Sequence, residues 1–328
     1  MNIAILGGTR FIGPFIVRLL VDQGHRVSVY HTGRTMGDLP PGVDRVILDR
    51  KNRGQTTDAL RRHRPEAIID MIGMDEEDVA EVINADIPLK HYVFCSSTAI
   101  YGKIGEDTPD ESYKPGPDSA YTTGKIDCEE LLDRTFKESA FPSTSLRLAH
   151  PYGPLDQLLY CAGRESLFLD RMRSGRPILI PGNGETRVHS IYVEDAARAF
   201  LHVLCREECF GRTYNLAGEQ ILTLNEYFES IARALDCPLV ARHIPLEWFD
   251  ANAELWKGHE RGFGFSTDWC RYQSAFDISA LKATGFDCLT DHDEGARKNI
   301  AWLDSQGMIA RSSNDDMEDR ILKAYATA

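Results

Sequence analysis

The chain opens on a short apolar run, Asn2–Leu6, that stops at Gly7-Gly8. Directly after it Phe11, Ile12, Phe15, Ile16, Leu19 and Leu20 recur at helical spacing, which predicts an amphipathic helix over Phe11–Gln23. Arg26–Tyr30, Arg45–Leu48, His91–Cys95 and Ser143–Leu148 read as strands, and Ala67–Met71 as a buried one. Between them Thr56–Arg64 and Ser119–Lys137 read as helices, the second long and amphipathic. Strands alternating with helices of this length imply βαβ units, hence an α/β fold with a doubly wound parallel sheet covered on both faces.

After Pro151 the pattern changes. Pro151, Gly153, Pro154, Gly175, Pro177, Pro181, Gly182 and Gly184 break the chain into loops and short strands. Val188–Val193 and the helix Glu194–Leu204 read as a return to the sheet. Residues Pro238–Phe276 are aromatic-rich and irregular, with Trp248, Trp256, Phe263, Phe265 and Trp269, and read as a substrate-facing region. The division expected is therefore a first domain over 1–150, completed by about 187–210. A smaller binding region would use 151–186 and 211–300, and 301–328 would form a C-terminal helix or tail, polar and superficial over Ala310–Asp319.

Composition narrows the function. A chain of 328 residues with 42% hydrophobic and 27% charged residues is an ordinary globular protein, and no apolar run is long enough for a bilayer. The start MNIAILGG lacks a basic region followed by an apolar one, so a cytoplasmic protein without a signal peptide is expected. A net charge of −13 argues against nucleic acid as the main partner, because phosphates are bound by lysines and arginines. The eight cysteines form no CxxC pair and no Cys/His cluster, which points to reduced thiols and no metal site.

The first strand–helix turn, Gly7-Gly8-Thr9-Arg10-Phe11-Ile12-Gly13, carries chemistry. A tight turn that brings backbone close to a pyrophosphate at a helix N-terminus needs residues without a Cβ, and the βαβ context is the one such a loop requires. With Gly7, Arg10 and Gly13 in the places of GxxGxxG, the segment resembles the extended short-chain dehydrogenases/reductases, the NAD-dependent epimerase/dehydratase family. The arginine in the middle place is similar to the branch that holds the chloroplast stem-loop RNA-binding proteins and bacterial epimerase-like relatives. The resemblance implies a Rossmann-type fold and a bound NAD(P). It also places Asp49 against adenine and Ile72 and Gly73 beside the cofactor ribose. After the second strand an acid would accept from the ribose hydroxyls of NAD; here Tyr30-His31-Thr32-Gly33-Arg34 supplies none. Arg34 and Arg10 together suit a 2′-phosphate, which favours NADP(H) over NAD; either may instead be solvated or pair with the adenosine ribose.

Tyr121 and Lys125 form a YxxxK pair one helical turn apart, on one face of the long helix. Hydride transfer at a carbinol carbon requires a group that exchanges the hydroxyl proton, and a nearby ammonium favours the phenolate form of a tyrosine. Upstream, Ser96-Ser97-Thr98-Ala99-Ile100-Tyr101-Gly102 resembles the family's SSxxxYG segment, whose hydroxyl residue orients the substrate. That residue is Ser97, 24 positions before Tyr121, with Thr98 beside it. Ser97, Tyr121 and Lys125 are the catalytic candidates, Lys125 also reaching the nicotinamide ribose.

The second half is matched more loosely. Arg147–Pro154 resembles RxxNxYGP with His150 in place of the asparagine; His150 either bonds a sugar or phosphate or packs under the loop. Gly182–Arg187 with Tyr192–Asp195 resembles the GxGxxxR…YVxD stretch of nucleotide-sugar enzymes, where the arginine grips a diphosphate, but Arg187 sits one residue early. Arg261 and Arg271 are candidates by neighbourhood, and Asp277–Gly285 resembles the family's C-terminal helix. Thr98 and Ala99 follow Ser97 where 4,6-dehydratases carry Asp-Glu, so that elimination chemistry is disfavoured. The resemblance thus implies a nucleotide-sugar epimerase acting at C4, as a homodimer packed on the Ser119–Lys137 helix. An NADP(H)-dependent reductase of a ketone, aldehyde or sugar is the first alternative. An RNA-associated or cofactor-sensing binding protein is the second.

Overall fold

The computed structural model describes residues 1–156, 158–161, 163–256 and 269–327. Seven parallel strands form its sheet: β1 (Asn2–Leu6), β2 (Arg26–His31), β3 (Asp44–Ile47), β4 (Ala67–Asp70), β5 (His91–Ser97), β6 (Ser143–Leu148) and an edge strand, Arg212–Leu216. From that edge the order runs Arg212–Leu216, β6, β5, β4, β1, β2, β3, so the chain reverses direction across the sheet between β1 and β4. Helices lie on both faces. Ile3 and Ile5 pack with Ile12, Ile16 and Leu20 of α1 (Ile12–Asp22) and with Phe200 of α5 (Val193–Val203). Ala4 and Leu6 point the other way, to Leu60 of α2 (Gln55–His63), Val79 of α3 (Glu76–Ile83) and Cys128 and Leu132 of α4 (Ala120–Ser139). Burying side chains such as Ile16 or Leu20 stabilises the fold by about 1.5–3 kcal/mol each.

The predicted strands and helices of the first 150 residues recur to within a residue or two, except that β5 runs on to Ser97. The helix Glu76–Ile83 escapes the periodicity test because only Val79, Ala80, Val82 and Ile83 are apolar; its start is fixed by Asp75, whose carboxylate accepts from the Asp78 amide.

Beyond β6 three expectations need correction. Val188–Val193 does not rejoin the sheet: Arg187–Val188 pairs antiparallel with Leu222–Thr223, and Ile191–Tyr192 pairs with Pro151–Tyr152. What returns is α5, packed on α1, and the strand Arg212–Leu216, which hydrogen-bonds β6 although the sequence placed it in the binding region. Finally, Ala310–Asp319 is superficial only in its first part, where Ala310, Arg311 and Ser313–Asp315 are exposed, and its end is anchored. Asp316 opens the helix Met317–Ala326, and the fully buried Arg171 guanidinium meets Asp316 at 2.6 Å, Glu318 at 3.0 Å and Asp319 at 3.2 Å. Burial, with the Glu165 and Asp316 carboxyls nearby, lifts Glu318 to about 7 against the pull of Arg171 and the Tyr160 hydroxyl.

Candidate active site

In open α/β sheets ligands bind beyond the carboxyl ends of the strands where the winding reverses, here between β1 and β4. The glycine loop lies there. A Cβ on Gly7, whose φ is +87°, would fall 2.3 Å from Ile72, and one on Gly13 would fall 2.6 Å from the Gly8 backbone. Phe11 holds φ +49°, a strained value for a residue with a side chain. No side chain caps α1 and no acid occupies its first turn, so its N-terminal amides face the loop free of a protein anion. Thr9 is buried in the loop, and its backbone lies against Gly37. Gly8, Thr9, Arg10 and Ile12 complete the cradle, whose shape and dipole fit a dinucleotide pyrophosphate.

A small cavity of about 40 Å³ continues from the loop, lined by Leu6, Tyr30, His31, Thr32, Leu48, Asp49, Arg50, Thr56 and Ile72. It lies at the end of β2, where the family resemblance puts the adenosine, and is itself too small to enclose one. Asp49 accepts from the Lys51 amide at 3.1 Å. His31 Nδ1 accepts from the Gly33 amide at 3.2 Å, and burial, with Arg45 nearby, keeps the ring below its usual pKa. The neutral ring therefore carries its proton on Nε2, which is buried and has no partner among the described residues. Arg10 and Arg34 are exposed and likewise unpaired among the described residues.

The main cavity, about 610 Å³, opens beside this cleft and brings Ser97, Thr98, Tyr121, Lys125 and His150 together. The long helix is set by a capping box in which Ser119 and Thr122 bond each other's backbone amides. Tyr121 thus falls in its first turn, 44% exposed to the cavity. Lys125 is buried at the cavity base; its Nζ donates to the carbonyls of Gly73 at 2.7 Å and Cys95 at 2.6 Å. It also lies 4.7 Å from the Phe94 ring centre and 5.8 Å from that of Tyr121. Gly124 permits this, since a Cβ there would meet the Met74 carbonyl at 2.1 Å. Two carbonyls leave one ammonium proton for a ligand. The Cys95 thiol beside them is pushed up to about 11 by burial, so it stays protonated.

Ser97 ends β5, its Oγ accepting from the Ala99 amide at 3.2 Å. The Thr98 hydroxyl turns instead to the Leu148 carbonyl. His150 bonds Ser274 Oγ through Nε2 at 3.0 Å, and burial lowers its pKa to about 4, so it is neutral. Arg187 is not among the lining residues. It spans from Gln273 to the carbonyls of Glu106 and Asp107, tying the loop 106–108 to the segment around 273. Arg271 pairs with Asp250, and Arg261 lies outside the described residues. Trp269, named in the substrate-facing region, lines the cavity, as do Met71, Met74, Lys103, Arg164, Tyr272, Gln273 and Phe276, which were missed as individual residues. Only the aromatic bias of 238–276 pointed toward Trp269, Tyr272 and Phe276.

A glycine cradle at the sheet's winding reversal, joined to a Ser/Tyr/Lys-lined cavity, defines an extended short-chain dehydrogenase/reductase. Residues 3–217 match the model of the NAD dependent epimerase/dehydratase family, and the chain belongs to that family. It is 30% identical over 246 residues to the chloroplast stem-loop binding protein of 41 kDa b of Arabidopsis thaliana, a match covering 71% of this chain and 63% of that protein. It is 25% identical over 281 residues to the 2'-dehydrokanamycin reductase of Streptomyces kanamyceticus, covering 86% of this chain and 78% of that one. The fold superposes on the UDP-N-acetylglucosamine 4-epimerase of Methanobrevibacter ruminantium M1 with a TM-score of 0.74 at 20% identity, covering 93% and 98% of the two chains. Among the described residues no helix is long and apolar enough to cross a membrane, and no cluster of potential metal ligands occurs.

Proposed function

We propose that the chain is a nucleotide-sugar epimerase acting at C4, with Ser97, Tyr121 and Lys125 as its catalytic residues. The observation that carries this reading is Lys125, buried at the cavity base with two carbonyl acceptors, one turn from Tyr121 and across from Ser97. The nicotinamide cofactor, when bound, supplies hydride acceptance and return. Ser97 holds the C4 hydroxyl, and Tyr121 takes its proton as the carbinol becomes a ketone. Lys125 stabilises the phenolate electrostatically and offers its third proton to the cofactor ribose. The open cavity leaves room for the ketone to turn its other face, after which Tyr121 returns the proton. No further acid or base is required, which agrees with Thr98 and Ala99 standing beside Ser97.

A specific observation favours a second reading, an NADP(H)-dependent reductase of a ketone, aldehyde or sugar. The end of β2 offers the His31 Nε2 proton and Arg34, and the glycine loop adds Arg10; these donors have no partner among the described residues, suit a 2′-phosphate, and none is an acceptor for ribose hydroxyls. The name of the Streptomyces relative points the same way. In either case a homodimer packed on α4 is part of the proposal, to be read from the mass in solution.

Mass spectrometry of the purified protein, followed by incubation with UDP-glucose, UDP-glucuronate or UDP-N-acetylglucosamine under proton NMR, separates the readings. A C4 epimer formed without added cofactor supports the first; net consumption of NADPH against a ketone supports the second. If Tyr121→Phe turns over like the parent, both fail, and the stem-loop binding of the chloroplast relative becomes the activity to test.

A further inference from the structure

Charged residues are almost never fully buried unless paired, and three lie together beneath the cofactor cleft, Asp70 at 0% exposure, Asp78 at 5% and Arg50 at 8%. Asp70 ends β4. Its Oδ1 accepts from Arg50 Nη1 and from the Ile72 amide, both at 2.9 Å, and its Oδ2 accepts from the Tyr92 hydroxyl at 2.9 Å. Arg50 reaches onward to Asp78, donating to its carbonyl at 2.8 Å and meeting its carboxylate through Nε at 3.0 Å. The Asp78 carboxylate in turn accepts from the Met74 amide at 2.8 Å.

The amides on either side of Gly73 are therefore each held by a carboxylate, and one guanidinium joins the two carboxylates. The Gly73 carbonyl is an acceptor of Lys125 Nζ. There is little slack around this peptide, since a Cβ on Gly73 would press on Phe94 at 2.8 Å and on Asp70 at 3.3 Å. Arg50 also lines the small cavity at the end of β2, so one side chain borders that cavity and supports the peptide that orients the lysine.

We infer that Arg50 is a positioning residue for Lys125, acting through Asp70, Asp78 and the Ile72–Met74 peptide. The inference rests on the catalytic role given above to Lys125. A hydrophobic filler would stabilise a buried site as well as an ion network does, so stability alone does not explain three buried charges at this spot. A fork that donates one arm to the Asp70 carboxylate and the other to the Asp78 carbonyl at fixed angles does explain them, and lysine, with its single nitrogen, does not reproduce that fork.

Arg50→Lys and Asp78→Asn are measured beside the parent protein in two ways. Amide hydrogen exchange at Ile72 and Met74 is expected to rise about tenfold or more in either variant, while β1 and α1 keep their protection. Turnover of whichever UDP-sugar the parent converts is expected to fall about 10- to 100-fold, with KM within about twofold, as for a small misplacement of a catalytic group. A purely structural role would reduce the folded fraction and leave kcat per bound NAD(P) unchanged, which overturns the inference. Unchanged exchange at Ile72 and Met74 in a folded variant overturns it too. If Arg50→Lys does not fold, Asp78→Asn decides alone. Should Tyr121→Phe prove fully active, the reading of Lys125 fails by that result, and the exchange data still decide whether Arg50 holds the Gly73 peptide.

Discussion

The two halves of the molecule are built by different rules. Up to Leu148 nearly every element is a strand of one sheet or a helix packed on it, and each candidate site residue sits near a strand end or in a helix's first turns: Gly7 after β1, Asp49 after β3, Gly73 after β4, Ser97 closing β5, and Tyr121 and Lys125 opening α4. Past Pro151 the described strands other than Arg212–Leu216 come in short pairs, and the cavity wall is drawn from separated segments at Arg164 and Trp269–Phe276. A site carried on regular elements inherits its geometry from local backbone requirements. A wall assembled from distant loops depends on tertiary contacts that no short window of sequence contains.

The sharpest way to break this contrast is to remove the chemistry on the regular side. Tyr121→Phe is expected to lower turnover about 10³-fold while leaving NAD(P) affinity near the parent value, because proton transfer is lost and the cradle is untouched. Steady-state kinetics beside cofactor titration checks it. Near-parental turnover would mean that the ordered half holds a binding site only.

Next in size is the backbone of the loop itself. Gly13→Ala must move the Gly8 backbone, 2.6 Å from the new Cβ, and is expected to cost about 3 kcal/mol or more and to weaken cofactor binding beyond detection. Gly105→Ala, with nothing within 4 Å, is the matched control and is expected to leave the melting temperature unchanged. Equal melting temperatures for the two variants would show that close approach is not what the glycine provides.

Legibility followed the same divide. The glycine loop, SSxxxYG and YxxxK could be read because each encodes a backbone or spacing requirement within a few residues. Gly124 shows the limit even there: its place within YxxxK is visible, but its need to clear the Met74 carbonyl is not. Arg212–Leu216 was misplaced because a short edge strand is recognised by its partner β6 and not by its own pattern. The acidic segment Asp315–Asp319 reads as solvated until Arg171, far away in the chain, is brought against it. Arg50 and Asp70 are ordinary surface residue types in sequence, and only the fold buries them together.

That long-range latch gives the third expectation. Glu318 is lifted to about 7 by burial, so the docked helix favours its protonated form. Docking is then strongest below the ordinary carboxylate range and weakens as pH rises through 7, by at most about 3 kcal/mol. Asp319, held low by the Arg171 and Arg176 guanidiniums, acts oppositely and only in stronger acid, so it does not mask the effect. Hydrogen exchange of Met317–Ala326 at pH 5 and pH 8 reads the difference, and Glu318→Gln is expected to flatten it. A helix equally protected at both pH values in the parent protein would show that the third carboxyl is not strained.

The smallest effect is expected at Arg187, and it tests how far family spacing carries into the irregular half. By motif this arginine would grip a diphosphate. By position it bonds Gln273 and the carbonyls of Glu106 and Asp107 at the rim, away from the cavity lining. Removing a diphosphate contact made by a guanidinium raises KM a hundredfold or so, about the worth of one charge-assisted pair. Removing a strap between two partly exposed loops costs about 1 kcal/mol and raises KM about twofold or threefold, through looser packing of the 106–108 loop. Arg187→Ala is expected to follow the second pattern with any UDP-sugar the enzyme accepts, and Arg187→Gln, which keeps a donor, to recover most of the melting temperature. A hundredfold KM would instead mean that the rim closes over the substrate and hands Arg187 from its carbonyls to the diphosphate. The irregular half would then be ordered by its ligand as well as by its own long-range contacts.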